Sequence, residues 1–118
     1  MGKSVLNEKS FLFAVRTVKL YAYLSETKKE YILSKQLLRS GTAVGALLRE
    51  AQNAESKADF IHKLGIAQKE CDETLYWIEL LKETGFLTEL EFESLSFDCT
   101  ELLKMIRSSI ITSKKNNS

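Results

Sequence analysis

Between Phe60 and Leu81 the apolar residues return at steps of four and three without a slip. Phe60, Leu64, Ala67, Cys71, Thr74, Ile78 and Leu81 form this seam. Only a long helix keeps such a pattern on one line, and the line is a heptad seam that must be buried against other helices. A helix over about Lys57 to Thr84 is therefore predicted. Ser56 and Asp59 have capping-box spacing at its start, with Asp in place of the usual Glu or Gln. Gly85 follows as a helix stop in the left-handed region. Thr88 and Glu91 make a second capping box. A fourth helix, about Glu89 to Ile111, then repeats the seam with Phe92, Leu95, Cys99, Leu102 and Ile106.

The first half of the chain fits the same scheme. No proline and only five glycines occur in 118 residues, so loops are few and short. Asn7 is a candidate N-cap for a first helix to about Ser25, after a frayed lead-in over residues 1–6. Phe11, Val15, Val18 and Ala22 form its expected inner stripe, with Phe13, Leu20 and Leu24 a second apolar line beside it. Glu26 to Lys29 make a turn. A second helix, about Glu30 to Ala54, contains Leu37, Gly41, Val44, Leu48 and Ala51 on one face. Glycine within a helix costs up to about 1 kcal/mol relative to alanine. Close approach of a neighbouring helix at Gly41 and Gly45 would offset that cost. Residues 114–118 read as a polar, disordered tail. Four long helices with short connections predict one all-α domain over residues 1–118, an antiparallel up-down-up-down four-helix bundle.

Several function classes have no support. No apolar run reaches the roughly 20 residues that span a bilayer, and no signal peptide is recognisable, so a cytoplasmic protein without a membrane partner is expected. Folding the third and fourth helices about Gly85 brings Cys71 level with Cys99. Both sit on core seams and read as structural thiols that could touch. His62 is far from Cys71 and reads as a surface residue, and no CxxC occurs, so neither metal nor cofactor is expected. Glu70, Asp72, Glu73, Glu79 and Glu83 are spaced as solvated charges. No nucleophile stands near a credible base, and no enzymatic activity is expected.

The charge distribution is more informative. Residues 1–25 carry four Lys/Arg against one acid, and residues 28–51 carry five against two. Residues 57–84 and 88–113 carry an excess of acids. Along the second helix Lys35, Arg39, Thr42, Ala46 and Arg49 lie within roughly 40° of one line. A hairpin of the first two helices sets Arg16 level with Arg39, and Lys19 with Lys35. Arg16, Lys19, Lys35, Arg39 and Arg49 are thus the candidate nucleic-acid contacts, through phosphates and not base edges. The patch lacks stacking aromatics of the kind used in single-stranded readout. The rival reading is a protein-interaction scaffold, in which the basic half of one copy docks on the acidic half of the next. Phe13, Leu20, Ile66, Trp77 and Leu80, more apolar lines than a lone bundle needs, are the candidate oligomer interface.

Two stretches also carry a resemblance. Arg39-Ser40-Gly41-Thr42 with Arg49-Glu50-Ala51 is the first. Ser56 to Leu64 followed by Lys69 to Leu81 is the second. They resemble the signature of a four-helix-bundle family first described as proteins encoded in intervening sequences of large-subunit ribosomal RNA. Relatives often show Ser and Asn in the small-residue stretch, where this chain has Ala43 and Leu47. The resemblance implies antiparallel bundles assembled into rings of five. It also implies kinship with accessory proteins of diversity-generating retroelements, which bind nucleic acid and a reverse transcriptase through a basic ring surface. On that analogy RNA or DNA, a reverse transcriptase or other protein, and further copies of the chain are the implied partners.

Overall fold

The computed structural model describes residues 4–116. Four helices account for nearly all of them: α1 (Val5–Glu26), α2 (Leu33–Gln52), α3 (Lys57–Glu83) and α4 (Glu89–Lys115). Each packs antiparallel on its neighbours in sequence, and α1 closes the square against α4 along a shorter seam. The bundle extends 52 × 23 × 20 Å. No strand occurs among the described residues.

The helix ends follow local chemistry. The Ser56 hydroxyl accepts the Asp59 N–H at 3.0 Å. At α4 the Thr88 hydroxyl accepts the Glu91 N–H, and the Glu91 carboxylate accepts the Thr88 N–H. Gly85 ends α3 at φ 88°, where a side chain would be strained. Two ends differ from expectation. Ser4, not Asn7, caps α1, and its hydroxyl accepts the Asn7 N–H. The helix thereby gains Val5, Leu6 and Asn7, and Leu6 is drawn into the core. The polar C-terminal segment stays helical to Lys115 instead of fraying at Ile111; the remainder of the expected tail, residues 117–118, lies outside the described residues, as do residues 1–3 of the expected lead-in.

The α2 N-terminus starts three residues later than its apolar pattern suggests. Lys29 adopts φ 59°, and Glu30 folds back under the first turn. Its carboxylate accepts the N–H groups of Ile32, Leu33 and Ser34 at 3.1, 2.9 and 2.7 Å. Burial works against the Glu30 charge, but these bonds together outweigh it and hold the carboxyl below its ordinary range.

The core is one continuous cluster. The seam residues Leu64, Ala67, Cys71, Ile78 and Leu81 meet Leu95, Cys99, Leu102 and Ile106 across α3 and α4. Each fully buried Leu or Ile contributes about 1.5–3 kcal/mol of transfer free energy. The thiol of Cys99 points at the Cys71 carbonyl oxygen at 3.5 Å. Contact with Cys71 and burial together push the Cys99 thiol above its ordinary range, so it stays protonated. One fully buried polar contact joins α2 to α3 inside the core: the Ser40 and Thr74 hydroxyls are hydrogen-bonded at 2.8 Å.

Helix α1 turns the other way from its expected inner stripe. Phe11 and Val18 are exposed, and Leu6, Ser10, Phe13, Thr17 and Leu24 face inward. The cause lies on α2. A Cβ on Gly41 would stand 2.6 Å from Thr17 Cγ2, and one on Gly45 would stand 3.3 Å from the Ser10 carbonyl oxygen. Helices this close accept only small residues between them. Ser10 and Thr17 fit that gap and satisfy their hydroxyls on the Asn7 and Ala14 carbonyls.

Candidate nucleic-acid interface

The α1–α2 hairpin carries the five candidate cations, and the structure divides them. Arg16 lies on the α4 side of α1. Its Nη1 donates to Asp98 Oδ2 at 2.8 Å and to the Ser94 carbonyl at 3.3 Å, and its Nη2 to Ser94 Oγ at 2.7 Å. Arg39 lies on the α3 side of α2. It is bonded to Glu73, and its Nη1 reaches Glu70 Oε1 at 3.4 Å. The Trp77 indole donates to the same Glu73 carboxylate at 3.0 Å. Glu73 is held below the ordinary carboxylate range, first by that indole and then by Arg39. The Glu73 hydrogen bond in turn raises Arg39 above its usual value. Arg16 and Arg39 therefore point to opposite flanks and tie helices of one protomer together. They do not share the single face that hairpin register implies, because each turns toward carboxylates on the helix beside it.

Lys19, Lys35 and Arg49 are exposed and have no acidic partner within 4 Å among the described residues. Lys28 and Lys29, in the α1–α2 turn, are likewise exposed and unpaired among those residues. Sequence reasoning misses this adjacent pair by treating it only as a turn. Lys35 and Arg49 sit on one edge of α2 about 21 Å apart, at 1.5 Å per residue. Lys19 lies on α1, about 80° round from Phe11. The unpaired positive charge of the hairpin thus runs from the turn along the outer edge of α2.

The candidate interface residues also separate. Phe13 is 3% exposed and belongs to the protomer's own core, so it is not available to a second copy. The close α1–α2 contact selects its line over the Phe11 line. Leu20 and Trp77 are half-buried against the core. Ile66 and Leu80 are half-buried as well. Trp77 packs edge-to-face on Tyr76 with ring centroids 5.0 Å apart. Large exposed apolar side chains stand elsewhere, among them Phe11, Leu12 and Val18 on α1, Tyr76 on α3, and Leu90 and Phe97 on α4. Tyr76, Leu90 and Phe97 lie off the seams read in the sequence, whereas Phe11 and Val18 lie on the stripe expected to face inward.

No group of three or more His, Cys, Asp or Glu is arranged to hold a metal among the described residues. No helix among them is long and apolar enough to cross a membrane. His62 is exposed, as its position implies.

Fold and surface define a small antiparallel helical bundle with an asymmetric charge distribution. A family model described as 23S rRNA-intervening sequence protein matches residues 3–108. The chain belongs to that family. A crystal structure of a protein of unknown function from the S23 ribosomal protein family of Bacteroides thetaiotaomicron is similar throughout. It has 52% sequence identity and a TM-score of 0.89, with 90% of this chain and 98% of that one covered. Comparison with proteins of curated function gives no match.

Proposed function

We propose that this protein is a non-enzymatic, ring-forming protein that holds nucleic acid by its phosphate backbone on the outer face of the α1–α2 hairpin. The observation that carries the reading is the set of exposed cations, Lys28, Lys29, Lys35 and Arg49, that no carboxylate of the same protomer neutralises among the described residues. A phosphate chain is the counterpart that such a row fits, because each neutralised phosphate releases counterions. The family likeness supports assembly as a ring of five, with an RNA or DNA partner and a reverse transcriptase or other protein as a further one. Arg16 and Arg39 are assigned to the protomer's own ion pairs, with Lys19 at the margin of the face. Leu20, Ile66, Trp77 and Leu80 remain the proposed contacts between copies, now joined by Leu90 and Phe97 on α4.

The test is fluorescence anisotropy with labelled duplex DNA, single strands and structured RNA across a salt series, with light scattering on the same samples. The double variant Lys35→Glu/Arg49→Glu should lower the slope of log affinity against log salt by about two, one for each phosphate left without its cation. An unchanged slope sinks the reading. One observation favours a protein scaffold instead: the acidic α3–α4 half also exposes Tyr76, Leu90 and Phe97. Assembly that dissolves steeply with salt while nucleic acid fails to bind would select that alternative.

A further inference from the structure

We infer that the groove between α1 and α2 beside Phe11 and Arg49 is a seat for an unpaired nucleobase of a single-stranded nucleic acid. This rests on the nucleic-acid reading above and adds the form of nucleic acid the face distinguishes.

The groove exists because the helices approach so closely. Gly45 and Ala46 on α2 and Ala14 on α1 leave a shallow floor with no bulky side chain over it. The space is about 370 Å³ and is walled by Asn7, Phe11, Thr42, Arg49 and Glu50. A second depression of about 500 Å³ continues across Phe11 and Arg49 to Glu8 and Gln52. Volumes of this size hold small planar ligands.

The chemistry of the walls is specific. Phe11 is 56% exposed, so its ring is open to solvent on the groove. The Arg49 guanidinium carbon stands 6.0 Å from the ring centroid. Aromatic rings and guanidinium planes are each surfaces on which bases stack in single-strand binding sites, and here the Arg49 guanidinium stands over the Phe11 ring. Asn7 and Gln52 each offer a donor and an acceptor to a base edge. Of the two carboxylates at the groove, Glu50 is paired with Lys63 at 3.2 Å, and Glu8 stands at the far end. The unpaired cations Lys35, Lys28 and Lys29 continue along the same hairpin, where the phosphates of a strand seated on Phe11 would run. The aromatic absent from the cation line in the sequence is supplied from α1, across the helix–helix contact.

A duplex hides its base faces and can use only the cations. A single strand can use both. The experiment is anisotropy with fluorescein-labelled oligothymidylate and with a labelled duplex, comparing the full chain with Phe11→Ala, Phe11→Leu and Phe11→Trp. Phe11→Ala should weaken single-strand binding about ten-fold and leave duplex binding unchanged. Phe11→Leu should lose as much as Phe11→Ala, and Phe11→Trp should bind at least as tightly as the parent. Light scattering and thermal melting should be the same for all four proteins. Unchanged single-strand affinity in Phe11→Ala, with normal salt-dependent duplex binding, overturns the base seat and leaves the phosphate reading standing. So does a Phe11→Leu that binds like the parent, or a Phe11→Ala that loses both ligands together with its oligomeric mass. A parent protein that binds neither ligand at low salt overturns both readings.

Discussion

Alanine at Gly41 and alanine at Gly65 are the same substitution in two helices, yet they should move stability in opposite directions. At Gly65 a new Cβ meets nothing within 4 Å. Only the helix preference acts there, and it stabilises by up to about 1 kcal/mol. At Gly41 the new Cβ meets Thr17 Cγ2 at 2.6 Å, with Thr17 Cβ at 3.2 Å and Oγ1 at 3.3 Å behind it. Carbon atoms rest comfortably at about 3.5–4.0 Å, so roughly 1 Å must be found. Thr17 has no exposure and cannot swing outward. Turning about its Cα–Cβ bond would break its 2.8 Å hydrogen bond to the Ala14 carbonyl. The remaining route is to part α1 from α2. Overpacking of this kind costs about 1–3 kcal/mol. Set against the helix gain, Gly41→Ala should destabilise by up to about 2 kcal/mol, and the two variants should differ by about 1–3 kcal/mol. Urea unfolding at one fixed protein concentration measures this, with circular dichroism and Trp77 fluorescence as paired probes. Thr17→Ser removes the nearest clashing atom and keeps the hydroxyl, so it should recover part of the loss in the Gly41→Ala background. A Gly41→Ala protein as stable as Gly65→Ala would refute the close-approach argument. So would one that Thr17→Ser fails to rescue.

Two further outcomes follow from the buried polar groups. The Glu30 carboxyl titrates below its ordinary value of 4.5 in the folded chain, so the stability it contributes is complete above that value and is lost as pH falls through the lower folded one. Glu30→Gln should cost about 1 kcal/mol at neutral pH, and the gap from the parent should close in acid unfolding curves below about pH 4. Thr74→Val leaves the buried Ser40 hydroxyl without its cross-helix partner and should cost about 1–3 kcal/mol in the same urea assay, whereas adding Ser40→Ala to it should return most of that loss.

The α3–α4 half is legible in the sequence almost residue by residue, because one heptad line there outweighs every alternative. Thr88 and Glu91 close the expected capping box, Ser56 caps α3 while the Asp59 carboxylate accepts the Glu55 N–H instead of closing its box, and Cys71 meets Cys99. Helix α1 is harder to orient. It carries two apolar lines of similar strength, and hydropathy alone favours Phe11, Val15 and Val18. What decides its rotation is the shape of α2: the bare surface at Gly41 and Gly45 admits Thr17 and Ser10, two polar residues that hydropathy places outside. The family signature is readable in Arg39 to Thr42, but the partners of Arg39 are not, since spacing along α3 alone assigns Glu70 and Glu73 to solvent. A charge counted along one helix says nothing of the carboxylates on the next. The same limit hides Phe11 beside Arg49, a pairing across two helices that no spacing within either one encodes.

The bundle is more than twice as long as it is wide, 52 Å against 23 and 20 Å. All three connections and both described ends lie at its two tips, and its flanks are uninterrupted helix. Copies that join by their flanks therefore form a wall whose height is the length of a helix, whatever the number of copies. In the proposed ring, changing that number would alter only the diameter of the lumen. Insertions in the turns would decorate the upper and lower rims of such a cylinder and leave its staves untouched.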